Sequence, residues 1–129
     1  NTIQWRRLNR RIMKQSKDNT INLEDFRVVG KDGTIAKVFT GRDRGEDVRK
    51  ASRIDEIEIK YSEVNIIIPD KIYSINPSFF EELFVNVVLK LGKEKFREKF
   101  LFKSLGNYNY ERPLTEAITR ILRKNTAIG

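Results

Sequence analysis

The reading of residues 64–91, VNIIIPDKIYSINPSFFEELFVNVVLKL, decides the fold. Val64, Ile66, Ile67 and Ile68 make an apolar run that stops at Pro69-Asp70, and a helical pattern begins at Asn76-Pro77-Ser78. Counted from there, Phe80, Leu83, Phe84, Val87, Val88 and Leu91 recur at spacings of three and four, so they share one helix face that must be buried. Only Glu82, Asn86 and Lys90 form a polar stripe, and a stripe that narrow marks a helix in the middle of the core. The stretch therefore reads as strand, crossover and central helix.

Downstream, Gly92 is placed to end that helix. Residues 93–99 make a short helical segment around Phe96 that leads into a strand over residues 100–105. Residues 106–112 read as a loop carrying Tyr108 and Tyr110. Pro113 then opens a last helix at its first position, where the missing donor costs nothing, with Leu114, Ala117, Ile118, Ile121 and Leu122 as its buried face.

Upstream, residues 21–29 and 34–40 read as two strands joined by Gly30-Lys31-Asp32-Gly33, an antiparallel hairpin in which Gly33 takes a positive φ. Gly41-Arg42-Asp43-Arg44-Gly45 reads as a turn into a helix marked by Val48, Ala51, Ile54, Ile57 and Tyr61. Ile57, Ile59 and Tyr61 also alternate as a strand would, but Glu46 and Asp47 suit the positive end of a helix dipole and favour helix to about Tyr61. Two guanidiniums beside free helix amides could cradle an anion at Arg42 and Arg44, although the spacing matches neither a Walker loop nor a dinucleotide fingerprint. The plain alternative is a turn with exposed charges.

Residues 2–17, TIQWRRLNRRIMKQSK, place Trp5, Leu8 and Ile12 on one helical face, with Arg6, Arg7, Arg10, Arg11 and Lys14 elsewhere. This basic amphipathic stretch is expected either to grip phosphates or to dock its Trp5 stripe on the domain with its arginines solvated. Like charges at Arg6 and Arg10 and at Arg7 and Arg11 disfavour it as an isolated helix. The organisation expected is a basic N-terminal helix over residues 1–18 and an α/β domain over residues 19–129.

At 129 residues the chain can bury one core without disulfides or a structural metal. A composition 39% hydrophobic and 34% charged is that of a globular protein, and no apolar run approaches the roughly 20 residues of a bilayer span. With no cysteine and no leader pattern, the cytoplasm is the default expectation. The absence of both His and Cys removes the Ser-His and Cys-His nucleophile pairs, an imidazole base and the thiolate or imidazole ligands of zinc. No spaced carboxylate cluster marks an acid-base or metal site, so neither an enzyme nor a cofactor is expected. The net charge of +8 favours acidic partners, nucleic acid among them.

In chain order the elements alternate strand and helix after the hairpin, which requires crossovers and favours parallel neighbours with helices packed on the sheet. The loops leaving the carboxyl ends of such strands share one edge, the usual binding edge. The turn with Arg42 and Arg44, the connector before Ser78 and the loop with Tyr108 and Tyr110 should meet there.

Residues 72–84, IYSINPSFFEELF, followed by Leu91-Gly92 and Phe96, resemble the Ser-Phe-x-x-Glu-Leu signature and Leu-Gly step of the STAS-like family of unknown function. That family is related to the STAS domains of anti-sigma factor antagonists and sulphate transporters. The resemblance spans residues 41–122 and is architectural outside residues 78–84. It implies a STAS-like mixed sheet with an N-terminal hairpin, and a non-enzymatic regulatory module that docks a protein. In bacterial antagonists that partner is a histidine-kinase-like ATPase, which phosphorylates a serine at the start of the helix after the second core strand. By position Ser78 is the match, with Asn76, Pro77, Arg42, Arg44, Tyr108 and Tyr110 around it as the docking surface. Antagonists carry Asp-Ser-Ser-Gly where this chain has Asn76-Pro77-Ser78-Phe79.

A structural reading of the same residues stands beside that one. Ser78 with Glu81 fits a capping box, and Asn76 before Pro77 fits an N-cap with proline at the first helical position. The competing function is nucleic-acid binding through Arg6, Arg7, Arg10, Arg11 and Lys14, with Tyr108 and Tyr110 as candidate stacking rings.

Overall fold

A computed structural model describes residues 17–128. A 3-10 turn over Lys17–Asn19 leads into β1 (Thr20–Asn22), and Asn22 at once caps a second 3-10 turn, Leu23–Phe26, by accepting the Glu24 N–H at 3.0 Å. Then follow β2 (Val38–Phe39), α1 (Arg42–Ser52), α2 (Ile54–Lys60), β3 (Val64–Ile68), β4 (Ser74–Ile75), α3 (Pro77–Lys99), β5 (Phe100–Ser104) and α4 (Glu111–Ile128). The main sheet is three-stranded and parallel in the order β1-β3-β5, with Ile21 opposite Ile66 and Ile66 opposite Phe102. β2 and β4 form a separate parallel pair.

Strand alternation sorts the main sheet into two faces. Ile21, Val64, Ile66, Ile68 and Phe100 point into the core and are buried. There they meet α3, where Phe80, Leu83, Phe84, Val87 and Val88 of the expected stripe are buried while Leu91, next to the Gly92 break, is only partly so, and Phe79, outside that stripe, is buried as well. α1 and α4 both pack on α3, so it is the middle helix of one layer. The break expected at Gly92 is present: φ 79 and ψ 170 interrupt the helix, and the segment after it turns Phe96 onto Phe100 at a ring-centroid distance of 4.7 Å.

The hairpin is much smaller than its sequence suggests. Ile21 pairs in parallel with Ile66, because the turn at Leu23, itself 0% exposed, diverts the chain before an antiparallel ladder can start. Only the tip remains, an antiparallel bridge between Val29 and Ile35 with Ala36 N–H donating to Val28 C=O at 2.8 Å. Gly33 takes the expected positive φ of 86°. The main sheet is therefore parallel rather than mixed.

The Gly-Arg-Asp-Arg-Gly stretch is not a loop. Gly41, with φ 92, is the N-cap, and Arg42 to Gly45 form the first turn of α1. That turn lies against the start of α3 so closely that a Cβ on Gly45 would collide with the Phe79 carbonyl and stand 2.9 Å from Glu82 Cβ. The helix expected to reach Tyr61 is two helices, because Arg53 adopts a left-handed conformation (φ 58, ψ 36). Ile59 is exposed, which fits helix and not a half-buried strand. Finally, α4 begins at Glu111 rather than Pro113: Asn109 accepts the Glu111 N–H at 3.1 Å and starts the turn two residues early. The basic N-terminal stretch, with Arg6, Arg7, Arg10, Arg11 and Lys14, lies outside the described residues.

Candidate functional site

Three segments leave the carboxyl ends of the parallel strands, and hydrogen bonds tie them together. Arg27, just past the turn after β1, has a side chain 6% exposed and donates to the carbonyls of Asp70 at 2.6 Å and Lys71 at 3.1 Å, in the connector after β3. Tyr108, in the loop after β5, accepts the Ile75 N–H at 2.9 Å and donates back to the Ile75 carbonyl at 3.4 Å. Gly106 sits so close to the connector that a Cβ there would lie 3.0 Å from Asp70 Cα. Between the two loops is an open cleft of about 710 Å³ lined by Asp70, Lys71, Tyr73, Asn107, Tyr108 and Asn109 among others.

The residues read from sequence as a docking surface are distributed around this edge, and most are engaged within the fold. Arg44 donates to the Phe26 carbonyl, holding α1 to the turn after β1. Arg42 donates to Glu81, whose side chain is 3% exposed, and stands 3.4 Å from Glu82. The pair with Glu81 holds the Arg42 guanidinium above its ordinary value, against the effect of burial. Both guanidiniums considered from sequence as an anion cradle are thus engaged within the fold. Tyr110 stacks on Phe102 at 5.3 Å and donates to the Phe102 carbonyl at 3.4 Å; burial, then the Glu111 charge, pushes its phenol up. Both tyrosine rings pack against the core, which works against base stacking.

At the start of α3 the cap is Asn76. Its Oδ1 accepts the Ser78 N–H at 2.9 Å and the Ser78 hydroxyl at 2.8 Å, while its own N–H donates to the Phe39 carbonyl at 2.8 Å. Pro77 occupies the first helical position, where no donor is needed. Glu81 takes no part in a capping box, since its carboxylate serves Arg42 and Lys124. Ser78 is half-buried, with its hydroxyl already bonded. Asn76→Ala is therefore expected to cost about 1 kcal/mol, whereas Ser78→Ala should cost less than about 0.5 kcal/mol in urea unfolding. Equal losses would make Ser78 the true cap.

Sequence spacing did not reveal the apolar surface beside the cleft. Val28, Val29, Ile35 and Val38 on the arm formed by residues 27–40, and Tyr73 opposite Lys37, are all exposed, Val29 at 61% and Tyr73 at 73%. They are contiguous through the Val29–Ile35 bridge, the Val38–Ser74 register and the Tyr73 N–H to Lys37 carbonyl bond of 2.8 Å. Lys37 Nζ lies 4.9 Å from the Tyr73 ring centroid. The signal that could have found them is the arm's apolar count with no alternation to bury it.

Among the described residues, no helix is long and apolar enough to cross a membrane, and no three His, Cys, Asp or Glu side chains gather where a metal could sit. No family model, curated protein or solved structure matches the chain.

Proposed function

We propose that the chain is a non-enzymatic regulatory protein-interaction module of the STAS-like kind, docking a protein through the arm and the loops at the carboxyl edge of its sheet. The observation that carries this reading is the exposed set Val28, Val29, Ile35, Val38 and Tyr73 adjoining the cleft at Tyr73. Apolar side chains gathered at one edge, rimmed by Lys31, Lys37, Asp70 and Lys71, have the composition of an interaction surface. Ser78 follows that edge in the chain, at the first turn of α3. A phosphate on it would replace the hydroxyl that donates to Asn76 and add about −1.5 to −2 charge at neutral pH, enough to reshape or repel at a docking surface. An ATPase of the histidine-kinase type as the partner rests on the sequence resemblance alone.

The test is recovery of the tagged chain from its native cells, followed by affinity measurement with the protein recovered. Val29→Asp is expected to weaken the complex by about tenfold or more without moving the melting temperature, because it puts a charge at the centre of the apolar set. Ser78→Asp is expected to weaken it as well. A complex indifferent to both substitutions, or recovery of nucleic acid in place of protein, would overturn the reading.

A further inference from the structure

The tip of the arm is a two-stranded antiparallel ribbon with one open edge. Gly30 N–H donates to the Thr34 carbonyl and Ala36 N–H to the Val28 carbonyl, both at 2.8 Å, so Val29 and Ile35 between them form a pair that exchanges no hydrogen bond. In such a pair the main-chain groups point away from the opposite strand. The strand carrying Ile35 runs on into β2, which pairs with β4. The strand carrying Val29 has no such neighbour, and its N–H and C=O have no partner among the described residues. Exposed edges are ordinarily blunted by charge, by proline or by a covering loop. Residues 27–30 are Arg-Val-Val-Gly, and the one charged side chain, Arg27, is turned inward to the Asp70 and Lys71 carbonyls. Val28 and Val29, 52% and 61% exposed, project to opposite faces. A strand laid along this edge would cover a valine on each face and pair the Val29 main chain, and a two-stranded ribbon is stabilised most by a third strand.

Given the protein-docking surface proposed above, on which this inference rests, we propose that the arm binds its partner by strand addition, taking an extended segment in which aliphatic residues alternate with acidic ones. The alternation follows from the edge, because a strand paired there sends successive side chains to opposite faces. Charge at the arm selects acid. Lys31 follows the edge strand and Lys37 lies across the ribbon from it, both exposed, whereas the neighbouring Asp32 already accepts the Thr34 N–H at 3.0 Å. A second copy of this chain fits the edge badly. Antiparallel pairing of two arms about a twofold axis at Val29 would set Lys31 of each against Arg27 of its mate, and like charges directly opposite are destabilising.

The experiment is selection of short linear peptides from a random library on the intact full-length chain, followed by titration of the peptides that enrich. Valine or isoleucine alternating with aspartate or glutamate is the expected pattern. N-methylation of the peptide amides one at a time should weaken binding by about tenfold at every second position, the loss of one main-chain hydrogen bond, and hardly at all between them. Lys31→Glu should weaken the same peptides several-fold with no change in melting temperature, and lysine in place of the facing acidic residue of the peptide should restore binding. Four results overturn strand addition. If no peptide enriches although the partner recovered from native cells depends on Val29, docking at this edge stands and strand addition alone falls. Peptides whose N-methyl scan shows no alternation dock by side chains only, and peptides indifferent to Lys31→Glu are not chosen by charge. Self-association that grows with concentration and is abolished by Val29→Asp assigns the edge to a second copy. A native partner indifferent to Val29→Asp and Ser78→Asp removes the docking surface itself, a failure separate from these four.

Discussion

Phe84→Ala is expected to destabilise the protein by about 3–5 kcal/mol, the usual cost of deleting a buried phenylalanine ring. Phe84 is 0% exposed and its ring lies 5.5 Å from Phe80, 5.2 Å from Phe96, 6.1 Å from Phe100 and 5.7 Å from Phe102. Those partners come from α3 on both sides of the Gly92 break and from β5, so the ring joins helix, turn and sheet at one point. The cavity left cannot close cheaply, because each neighbour is itself held: Phe96 by stacking on Phe100, and Phe102 by stacking on Tyr110. A domain of this size is typically stable by about 5–15 kcal/mol, so the variant should melt roughly 10–20 °C lower and sit near the edge of folding. Leu89→Ala on the same helix, where the side chain is 44% exposed, should change stability by no more than about 0.5 kcal/mol. A loss below about 1.5 kcal/mol for Phe84→Ala in guanidinium unfolding would contradict its central place.

What the sequence disclosed about this molecule follows from how local each signal is. The apolar run of β3, the stripe of α3, the Asn76-Pro77 start and the Gly92 break all depend on residues within a turn or two of one another, and the elements they mark are present. Partner choice is not local. Nothing in the residues around Ile21 says that it pairs with Ile66 across 45 positions rather than with its neighbour in a hairpin, and β1 and β2 are too short, at three and two residues, for alternation to declare a face. Arg53 is illegible for the same reason: a single left-handed residue changes no periodicity, yet it splits one helix in two.

The candidate site divides along the same line. That the segments carrying Arg27, Asp70, Tyr108 and Ser78 converge follows from parallel topology, a global rule. Which of their side chains remain available does not, because it depends on contacts between residues far apart in the chain. Arg42 is engaged by Glu81 and Arg44 by the Phe26 carbonyl. Arg42 and Arg44, two of the charged residues the sequence offers as candidates, are thus ones the fold uses to tie α1 in place. The surface left for a partner is apolar and lies on an arm whose residues have no periodicity to mark them.

Glu58 shows how strongly such a hidden contact can act, and Glu58→Gln is expected to cost about 2 kcal/mol at neutral pH. Its side chain is 3% exposed on α2, and its carboxylate receives Lys90 at 2.7 Å and Lys99 at 3.3 Å, both from α3; Lys99 also donates to the Glu58 carbonyl at 2.6 Å. Burial pushes this carboxyl up, but the hydrogen bonds and charges of the two lysines outweigh it and hold it below the usual 4.5. The folded chain therefore takes up this proton less readily than the unfolded chain. The stabilisation it contributes is complete above about pH 4.5 and is lost as pH falls through the lower, folded-state value. The gap between wild type and Glu58→Gln in urea should accordingly be constant from pH 7 to about pH 5 and narrow below that. Lys99→Met tests the same pairing from the other side, since it leaves a buried carboxylate with one amine, and the two substitutions should couple by about 1 kcal/mol or more in a double-mutant cycle. A gap that stays constant down to pH 3, with no coupling, would show that Glu58 matters through packing and not through its charge.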